Sequence, residues 1–190
     1  ESLMSADPIT VVMSEKGWIR AAKGHDIDPQ ALSYKSGDGY KMSVHGRSNQ
    51  PTVILDSTGR AYTVPSHNLP SARGQGEPVT GRINPPSGAT FEGLMMGADD
   101  ALYLLASDAG YGFVARLCDL QTKNKAGKGA LNLPKGSAVL QPAAIPTQEN
   151  AWVAAVSNEG RLLVFPLEDL PQMARGKGNK IIGIPSARVQ

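Results

Sequence analysis

Three segments of this chain repeat one pattern at a nearly constant spacing, and this period constrains the fold more than any other feature. Each segment begins with a turn glycine. A leucine, directly preceded by a polar residue, follows ten positions after that glycine, and a Gly-x-Gly loop comes next. The turn glycines Gly59, Gly110 and Gly160 lie 51 and 50 residues apart. A repeat of this length is typical of bladed or solenoid architectures, in which one supersecondary unit recurs along the chain.

The three loops differ from a weaker fourth copy at the start of the chain. The loops are residues 74–76, 127–129 and 176–178, whereas the first copy begins at Gly17 and has Gly37-Asp38-Gly39 as its loop. Only 42 residues separate Gly17 from Gly59. The first repeat is therefore expected to lack some connecting structure, and it carries an acidic residue inside its loop.

Apolar runs of strand length recur within the repeats and predict an all-β, propeller-like fold. Each repeat is predicted to be a hairpin, a basic excursion and further strands, which makes a four-stranded blade of about fifty residues. The predicted blades are 9–50, 51–100, 101–146 and 147–185, within a single domain covering 1–190. The predicted strands of repeats two to four are 52–55, 61–64, 79–83, 102–105, 111–114, 130–133, 151–156, 162–165 and 181–184.

Short polar side chains punctuate each repeat at two places. Three residues before each turn glycine lies Ser14, Asp56, Ser107 or Ser157. Such a side chain is expected to bond the backbone two residues on, while the glycine adopts the left-handed conformation of a bulged hairpin. Before each basic loop, Asn68, Asp119 or Asp169 is expected to cap a short helical turn, and the leucine that follows is expected to anchor it.

Positive charge is concentrated in equivalent loops of the repeats. Residues 71–76, 121–129 and 172–180 hold seven basic residues and no acidic one, and because the net charge is +2 the rest of the chain carries −5. Loops arranged around one axis would place this charge on one rim, as expected for binding a polyanion. The candidate binding residues are Arg73, Lys123, Lys125, Lys128, Arg175, Lys177 and Lys180 in the loops, then Arg20, Lys23, Arg60, Arg116 and Arg161 along the second hairpin strands.

Other kinds of site have little support in the sequence. Gly176-Lys-Gly-Asn-Lys lacks the spacing of a nucleotide phosphate loop and recurs in each repeat, which a single nucleotide site would not do. The three histidines and single cysteine have no metal-ligand spacing, and no nucleophile elbow is present. We therefore predict no catalytic residue, metal or cofactor. The alternative function is a protein-interaction propeller whose basic loops bind an acidic partner.

Composition predicts a reducing compartment rather than secretion or a membrane location. A single cysteine suits a reducing environment, no apolar run approaches the roughly 20 residues of a membrane helix, and no secretory leader is visible. The first and last residues, Glu1-Ser2-Leu3 and Arg188-Val189-Gln190, resemble the interior of a sequence, so the chain is expected to be a piece of a longer polypeptide, and a monomer.

Several long motifs, in the right order, resemble one known family. They are Gly17-Trp-Ile-Arg-Ala-Ala-Lys-Gly-His-Asp-Ile27, Gly59-Arg-Ala-Tyr-Thr-Val64, Leu69-Pro-Ser-Ala-Arg-Gly-Gln-Gly-Glu-Pro78, Ser107-Asp-Ala-Gly-Tyr-Gly-Phe-Val114 and Gly176-Lys-Gly-Asn-Lys-Ile-Ile-Gly-Ile-Pro185. By these motifs the whole chain is similar to the C-terminal domain of the A subunit of bacterial DNA topoisomerase IV, a relative of DNA gyrase.

The resemblance implies a β-pinwheel, a propeller-like fold whose adjacent blades exchange strands. It further implies non-catalytic, sequence-nonspecific binding and bending of duplex DNA along an outer basic rim, here on four blades in an open or broken ring. Gyrase carries a basic Gln-Arg-Arg-Gly-Gly-Lys-Gly box in its first blade, but this chain has Tyr34-Lys-Ser-Gly-Asp-Gly39. That departure favours the topoisomerase IV assignment, in which the domain helps hold and select the transported DNA segment during decatenation and supercoil relaxation.

Partners and cofactors are implied by the same resemblance. The partners would be duplex DNA, the ATPase B subunit, and the rest of the A subunit, in a holoenzyme that acts in chromosome segregation and associates with the nucleoid. ATP and Mg²⁺ would bind in other regions of that holoenzyme, and the DNA-cleaving tyrosine would also lie outside this chain.

Overall fold

A computed structural model describes residues 4–146, 151–157 and 159–181 of the chain. Nearly all of its regular structure is β-strand, which confirms the all-β prediction. The strands are β1 (Pro8–Ser14), β2 (Trp18–Lys23), β3 (Tyr40–Arg47), β4 (Thr52–Asp56), β5 (Arg60–Val64), β6 (Glu77–Pro78), β7 (Phe91–Met95), β8 (Leu102–Ala106), β9 (Tyr111–Arg116), β10 (Lys128–Gly129), β11 (Ala143–Ile145), β12 (Trp152–Val156), β13 (Leu162–Pro166) and β14 (Asn179–Lys180).

Helical structure is limited to single turns between the strands. One α-helical turn, α1, spans Leu117–Leu120, and 3-10 turns span Pro29–Ala31, Val79–Gly81 and Leu167–Asp169. No helix in the described part of the chain is long and apolar enough to cross a membrane.

The sheets are built by exchange between consecutive repeats. The strand orders are β3-β1-β2-β6, β10-β5-β4-β7, β11-β8-β9-β14 and β12-β13, all with antiparallel neighbours. Thus β6, β10 and β14 leave their own repeat and complete the sheet of the repeat before it. This exchange is the pinwheel feature that the family resemblance implies, and the spacing of the repeats by itself gives only a bladed fold.

The exchanged strands differ from the prediction in position and length. The hairpin strands agree with the predicted runs. The predicted strand 79–83 is instead a 3-10 turn over Val79–Gly81 followed by irregular backbone, and only Leu131 within 130–133 makes a bridge. Val79, Ile83, Ala130 and Leu131 are nevertheless buried. Short apolar runs report burial without distinguishing a strand from a helical turn, and here the strand lies just before each run. Of the predicted strand 181–184, residues 182–184 lie outside the described residues.

The hairpin turns follow the predicted backbone but not the predicted side-chain pattern. The four turn glycines have φ of 78–85°, and each donates its N–H to the carbonyl three residues earlier at 3.0–3.1 Å. Ser14 and Ser157 accept from the backbone N–H four residues on, at 3.1 Å each, rather than two residues on. Asp56 reaches both positions because its longer carboxylate accepts from Thr58 and Arg60 with one oxygen.

The helical turns end at the residues that were predicted to begin them. Arg116 and Pro166 occupy the N-cap positions of α1 and the third 3-10 turn, with no side-chain capping bond, so the predicted caps Asp119 and Asp169 are wrong. The anchoring leucines are as predicted: Leu69, Leu120 and Leu170 are all buried. The turns are therefore held by burial of apolar side chains rather than by polar capping.

Successive sheets pack face to face, and alternate residues of one strand belong to different cores. On β4, Ile54 packs between the first and second sheets, whereas Val53 and Leu55 pack between the second and third. Val114 of β9 lies in a third core with Val153 of the fourth sheet and with Leu170, which follows the 3-10 turn after that sheet. Within the described residues no such core joins the fourth sheet to the first, and the ring of blades is open.

Candidate nucleic-acid interface

Each sheet has an inner and an outer edge, and the basic loops run along the outer one. The inner strands β3 and β7 lie against each other, with Lys41 of β3 paired to Glu92 of β7 at 3.3 Å. At the opposite edge of the first three sheets lie the exchanged strands β6, β10 and β14. The loops that precede these strands hold the seven basic residues singled out by charge. Each basic loop therefore lies at the edge of the blade that is formed by the preceding repeat.

A glycine with positive φ precedes every exchanged strand and defines which loop positions are equivalent. Gly76, Gly127 and Gly178 have φ of 86°, 72° and 77°. A Cβ at Gly76 would lie 2.6 Å from the Ile19 oxygen, and at Gly127 it would lie 2.7 Å from the Ala61 oxygen. Gly127 is the first glycine of its Gly-x-Gly motif, whereas Gly76 and Gly178 are the second glycines of theirs. Aligning the three motifs by sequence therefore places the loop of repeat three two residues out of register with the structure.

Backbone hydrogen bonds join the three loops into one continuous strip, which we call the rim strip and which comprises residues 71–84, 121–132 and 172–180. The N–H of Asn84 donates to the carbonyl of Lys125 at 2.8 Å, linking the first loop to the second. The N–H of Asn132 donates to Gly176 at 2.8 Å, linking the second loop to the third. The repeat thus places charges that are about fifty residues apart in sequence on neighbouring segments of one edge.

Most loop cations point into solvent. Six of the seven are exposed, and the seventh, Lys128 of β10, is half-buried; the exposed ones are Arg73, Lys123, Lys125, Arg175, Lys177 and Lys180. The ammonium of Lys177 lies 4.7 Å from the centre of the Tyr111 ring, which orients it along the outer edge. Exposed cations along such an edge can approach phosphates closely.

The five predicted residues on the second hairpin strands differ from one another in the structure. Lys23, Arg116 and Arg161 are exposed. The Arg116 Nε lies 3.1 Å from the Asp119 carboxylate, and the hydrogen bond to Asp119 raises the pKa of Arg116 further. Arg60 is half-buried and bonds to backbone carbonyls. Arg20 is only 2% exposed, so it is not on a surface that a duplex could touch, and its assignment as a contact residue is corrected.

Around the first blade the structure adds charges that the loop count overlooked. The Lys35 ammonium lies 3.8 Å from the centre of the Trp18 ring, and Lys35 is exposed. Glu77 lies on β6 itself, directly after the weakest loop, and its carboxylate lies 3.7 Å from the Arg82 guanidinium. In the sequence Glu77 directly follows the basic loop 71–76. Its position at the edge of the first blade, however, follows from the pairing of β6 with β2.

The loop of the first repeat folds back on its own hairpin instead of exchanging. The Asp38 carboxylate accepts from the N–H groups of Lys16 and Gly39, at 3.0 and 2.8 Å. Burial opposes ionisation of Asp38, but hydrogen bonds from Ser14, Gly39 and Lys16 outweigh it and lower the pKa of the carboxyl. The acidic residue in this loop thus has a structural role in closing the first hairpin turn.

Sequence comparisons agree with this geometry. A family model described as the DNA gyrase C-terminal domain, a beta-propeller, matches residues 102–145 and 151–186. The chain is 62% identical over 187 residues to the A subunit of DNA topoisomerase 4 from Pseudomonas aeruginosa, covering 98% of this chain and 25% of that protein. It is 51% identical over 185 residues to the Escherichia coli K12 protein of the same name, covering 97% and 24%. The chain spans about a quarter of the length of these relatives.

Structural comparisons extend the match to the fold. The E. coli ParC C-terminal domain superposes with a TM-score of 0.87 at 52% identity, covering 96% of this chain and 74% of that one. A crystal structure of the C-terminal domain of DNA topoisomerase IV gives a TM-score of 0.75 at 14% identity, covering 97% and 60%, which supports the fold alone. On the sequence motifs, the exchanged sheets and these matches together, the chain belongs to the family of C-terminal domains of the topoisomerase IV A subunit.

Proposed function

We propose that this domain binds duplex DNA without sequence preference along the rim strip and bends it across successive blades. The observation that carries the proposal is the continuity of the strip: its three segments, which hold eight basic residues and one acidic residue, are joined by backbone hydrogen bonds. Six of these cations are exposed. A row of exposed cations along one edge of successive blades can follow a phosphate backbone from one blade to the next.

Binding of this kind is dominated by phosphate neutralisation. Each lysine or arginine that contacts a phosphate releases condensed counterions, so affinity falls as salt rises. Such contacts position the duplex but carry no sequence information. Bending a site of 20–30 base pairs costs of the order of 1–6 kcal/mol, which additional contacts at the next blade offset. The domain supplies a surface for DNA and performs no chemistry itself.

Within a longer polypeptide of this family, the rim strip would hold and select the transported DNA segment during decatenation and supercoil relaxation. The enzyme would be an ATP-dependent type II topoisomerase whose partner is the ATPase B subunit, with ATP and Mg²⁺ bound in other regions. We expect it to work in the bacterial cytoplasm on the nucleoid, and the isolated 190-residue chain to be a monomer.

A binding series against salt tests the proposal. The chain is titrated onto a duplex of about 30 base pairs, and onto positively and negatively supercoiled plasmid, at several salt concentrations by mobility shift. We expect affinity that falls linearly on a log-log plot of binding constant against salt and that is equal for unrelated sequences. Absence of binding at low salt would refute the proposal. It would favour the alternative, in which the basic loops bind an acidic protein partner.

A further inference from the structure

Two of the arginines near the rim strip are engaged with the backbone rather than with solvent. In the second blade, the Arg60 Nε and Nη2 both donate to the Ala126 carbonyl, at 3.0 and 2.8 Å. The same Nη2 also donates to the Gly127 carbonyl at 2.9 Å. These two carbonyls belong to the basic loop immediately before β10. The guanidinium therefore joins the hairpin strand of repeat two to the loop of repeat three.

The site of this contact is where the loop becomes an exchanged strand. Arg60 pairs with Gly129 across the β5–β10 ladder, so its side chain closes the first turn beyond that ladder. β10 has only two residues, and few backbone bonds hold it in place. Hydrogen bonds from a charged donor are stronger than neutral ones, and a fork that binds two successive carbonyls also fixes their orientation.

The first blade also has an arginine that donates to a carbonyl of the exchanged loop, but it comes from a different position on the hairpin strand. Arg20 lies two positions further along its strand, and its Nη1 donates to the Gly74 carbonyl at 2.6 Å. The Tyr34 ring covers the guanidinium, with 4.6 Å from its central carbon to the ring centre. Gly74 belongs to the basic loop that precedes β6. Both arginines thus reach from the second hairpin strand to a carbonyl of the loop that the next repeat contributes.

The third blade has no guanidinium in this position. Tyr111 and Phe113 stand at the positions of Arg60 and of Arg20, counted from the turn glycine. The loop before β14 instead places its own Lys177 over the Tyr111 ring. The direction of the contact is reversed: a loop cation rests on the strand, and no strand cation holds the loop.

We propose that Arg60 and Arg20 are positioning residues that clamp the exchanged loops of the second and first blades, so that the exposed cations of those loops meet DNA in a fixed arrangement. They do not contact phosphate themselves. This inference rests on the proposed function only for its effect on binding, because the clamp itself is a property of the free protein. Lys123 and Lys125, which are exposed on the clamped loop, are the residues that Arg60 would position.

Amide hydrogen exchange of the free 190-residue chain tests the clamp without DNA. The probes are the amides of Gly127, Ala130 and Leu131, which donate to Asn124 and Gly59 carbonyls. We expect Arg60→Gln and Arg60→Lys to accelerate exchange at these amides about tenfold or more, since neither side chain forms the fork. Lys125→Gln, which removes an exposed charge from the same loop, should leave them unchanged. Arg20→Gln should act in the same way on the Gly74 amide.

Duplex binding of the same variants separates positioning from direct contact. If Arg60 positions the loop, Arg60→Lys should weaken binding to the same short duplex at least about threefold, as Arg60→Gln does, although lysine keeps the charge. Lys125→Gln should lower the slope of the salt dependence by about 0.9. Lys135→Gln, a charge loss on an exposed turn outside the rim strip, is the control for net charge.

Two results would overturn the clamp. Wild-type exchange and affinity in Arg60→Lys, with the salt slope lowered by about 0.9 in Arg60→Gln, would make Arg60 a phosphate contact and overturn the clamp. Unchanged amide exchange in both variants would overturn it as well. If the wild-type chain fails to bind any duplex at low salt, the proposed function fails while the exchange experiment still decides the clamp.

Discussion

The second and third blades share one backbone plan but fill it with different polar chemistry. In the second blade the buried Asp56 carboxylate ends the first strand, and the Tyr62 hydroxyl donates to it at 2.6 Å. In the third blade Ser107 and Phe113 stand at the same places, and the buried Ser107 hydroxyl has no hydrogen-bond partner among the described residues. The exchanged strand forms in both, so the exchange does not depend on this polar pair.

The two blades also hold their exchanged loops differently. The loop on the second blade receives three hydrogen bonds from Arg60, whereas the loop on the third blade rests its Lys177 on Tyr111. What they share is a glycine with positive φ against the carbonyl of the second hairpin strand. Close backbone approach is therefore the common requirement of exchange, and the side chains adjust the stability and rigidity of the exchanged strand.

The largest expected effect comes from that shared glycine. Gly127→Ala forces a left-handed conformation on alanine and brings its Cβ to 2.7 Å from the Ala61 oxygen. We expect the free energy of unfolding, measured in urea, to fall by about 2–4 kcal/mol. Gly129→Ala is the matched control, because nothing lies within 4 Å of its added Cβ. Equal costs at the two glycines would contradict the requirement for close approach.

Charge removal compares the two loops as DNA ligands. The variants Lys123/Lys125/Lys128→Gln and Arg175/Lys177/Lys180→Gln each remove three charges from one blade edge. Each should lower duplex affinity on the order of a hundredfold at about 0.1 M salt and reduce the salt slope by up to about 2.7. The loss should be the same for all duplex sequences. Arg73→Gln in the weakest loop should cost less, whereas an unchanged affinity in either triple variant would remove that loop from the interface.

Converting the second blade's polar pair into that of the third tests whether the pair acts as a unit. Tyr62→Phe leaves one oxygen of the buried Asp56 carboxylate without its donor and should cost about 1–3 kcal/mol of unfolding free energy. Asp56→Ser alone leaves the Tyr62 hydroxyl without an acceptor. The double variant recreates the Ser107 and Phe113 combination and should cost less than the sum of the two single variants. Simple additivity would show that the two residues do not interact.

The smallest effect is a pH dependence that the third blade cannot have at this position. Burial, together with the hydrogen bond and charge of Asp56, raises the pKa of Tyr62 above its ordinary value of 10.0. A raised pKa in the folded state contributes stability that is present below about pH 10 and is lost as pH rises above it. Urea unfolding of wild type and Tyr62→Phe should therefore converge above about pH 10. Burial also raises the pKa of Tyr103, but Tyr103 is present in both wild type and Tyr62→Phe, so its contribution cancels in the difference between the two curves. Parallel curves would contradict the assignment.

Much of the blade was predictable from local sequence because its determinants are local. Turn glycines with φ near 80° follow from the steric freedom of a residue without a Cβ, and the hairpin strands follow from their apolar runs. The anchoring leucines were also predictable from their fixed place in each repeat. The helical-turn caps were predicted wrongly, because burial of Leu117 and Leu120 holds α1 without a polar cap.

The candidate interface was only half predictable. Charge counting identified the loops and their exposed cations, because net charge within a segment is independent of fold. It could not separate Arg20 from exposed arginines, since its burial depends on the Tyr34 ring and the Gly74 carbonyl, 14 and 54 residues away in sequence. It also missed Glu77, whose position beside the loop follows from strand pairing.

Local sequence specifies a chain of four repeats, each with a hairpin and a loop of defined charge, and three of them with a buried leucine anchor. Which blade each loop completes depends on how the sheets pack and pair in the folded chain. The reason is physical: the exchanged strands are two residues long, and their pairing partners lie more than fifty residues away, so no local period encodes them. Their register is set where a glycine lets one backbone reach the carbonyl of another, and that contact exists only once the neighbouring sheets have packed.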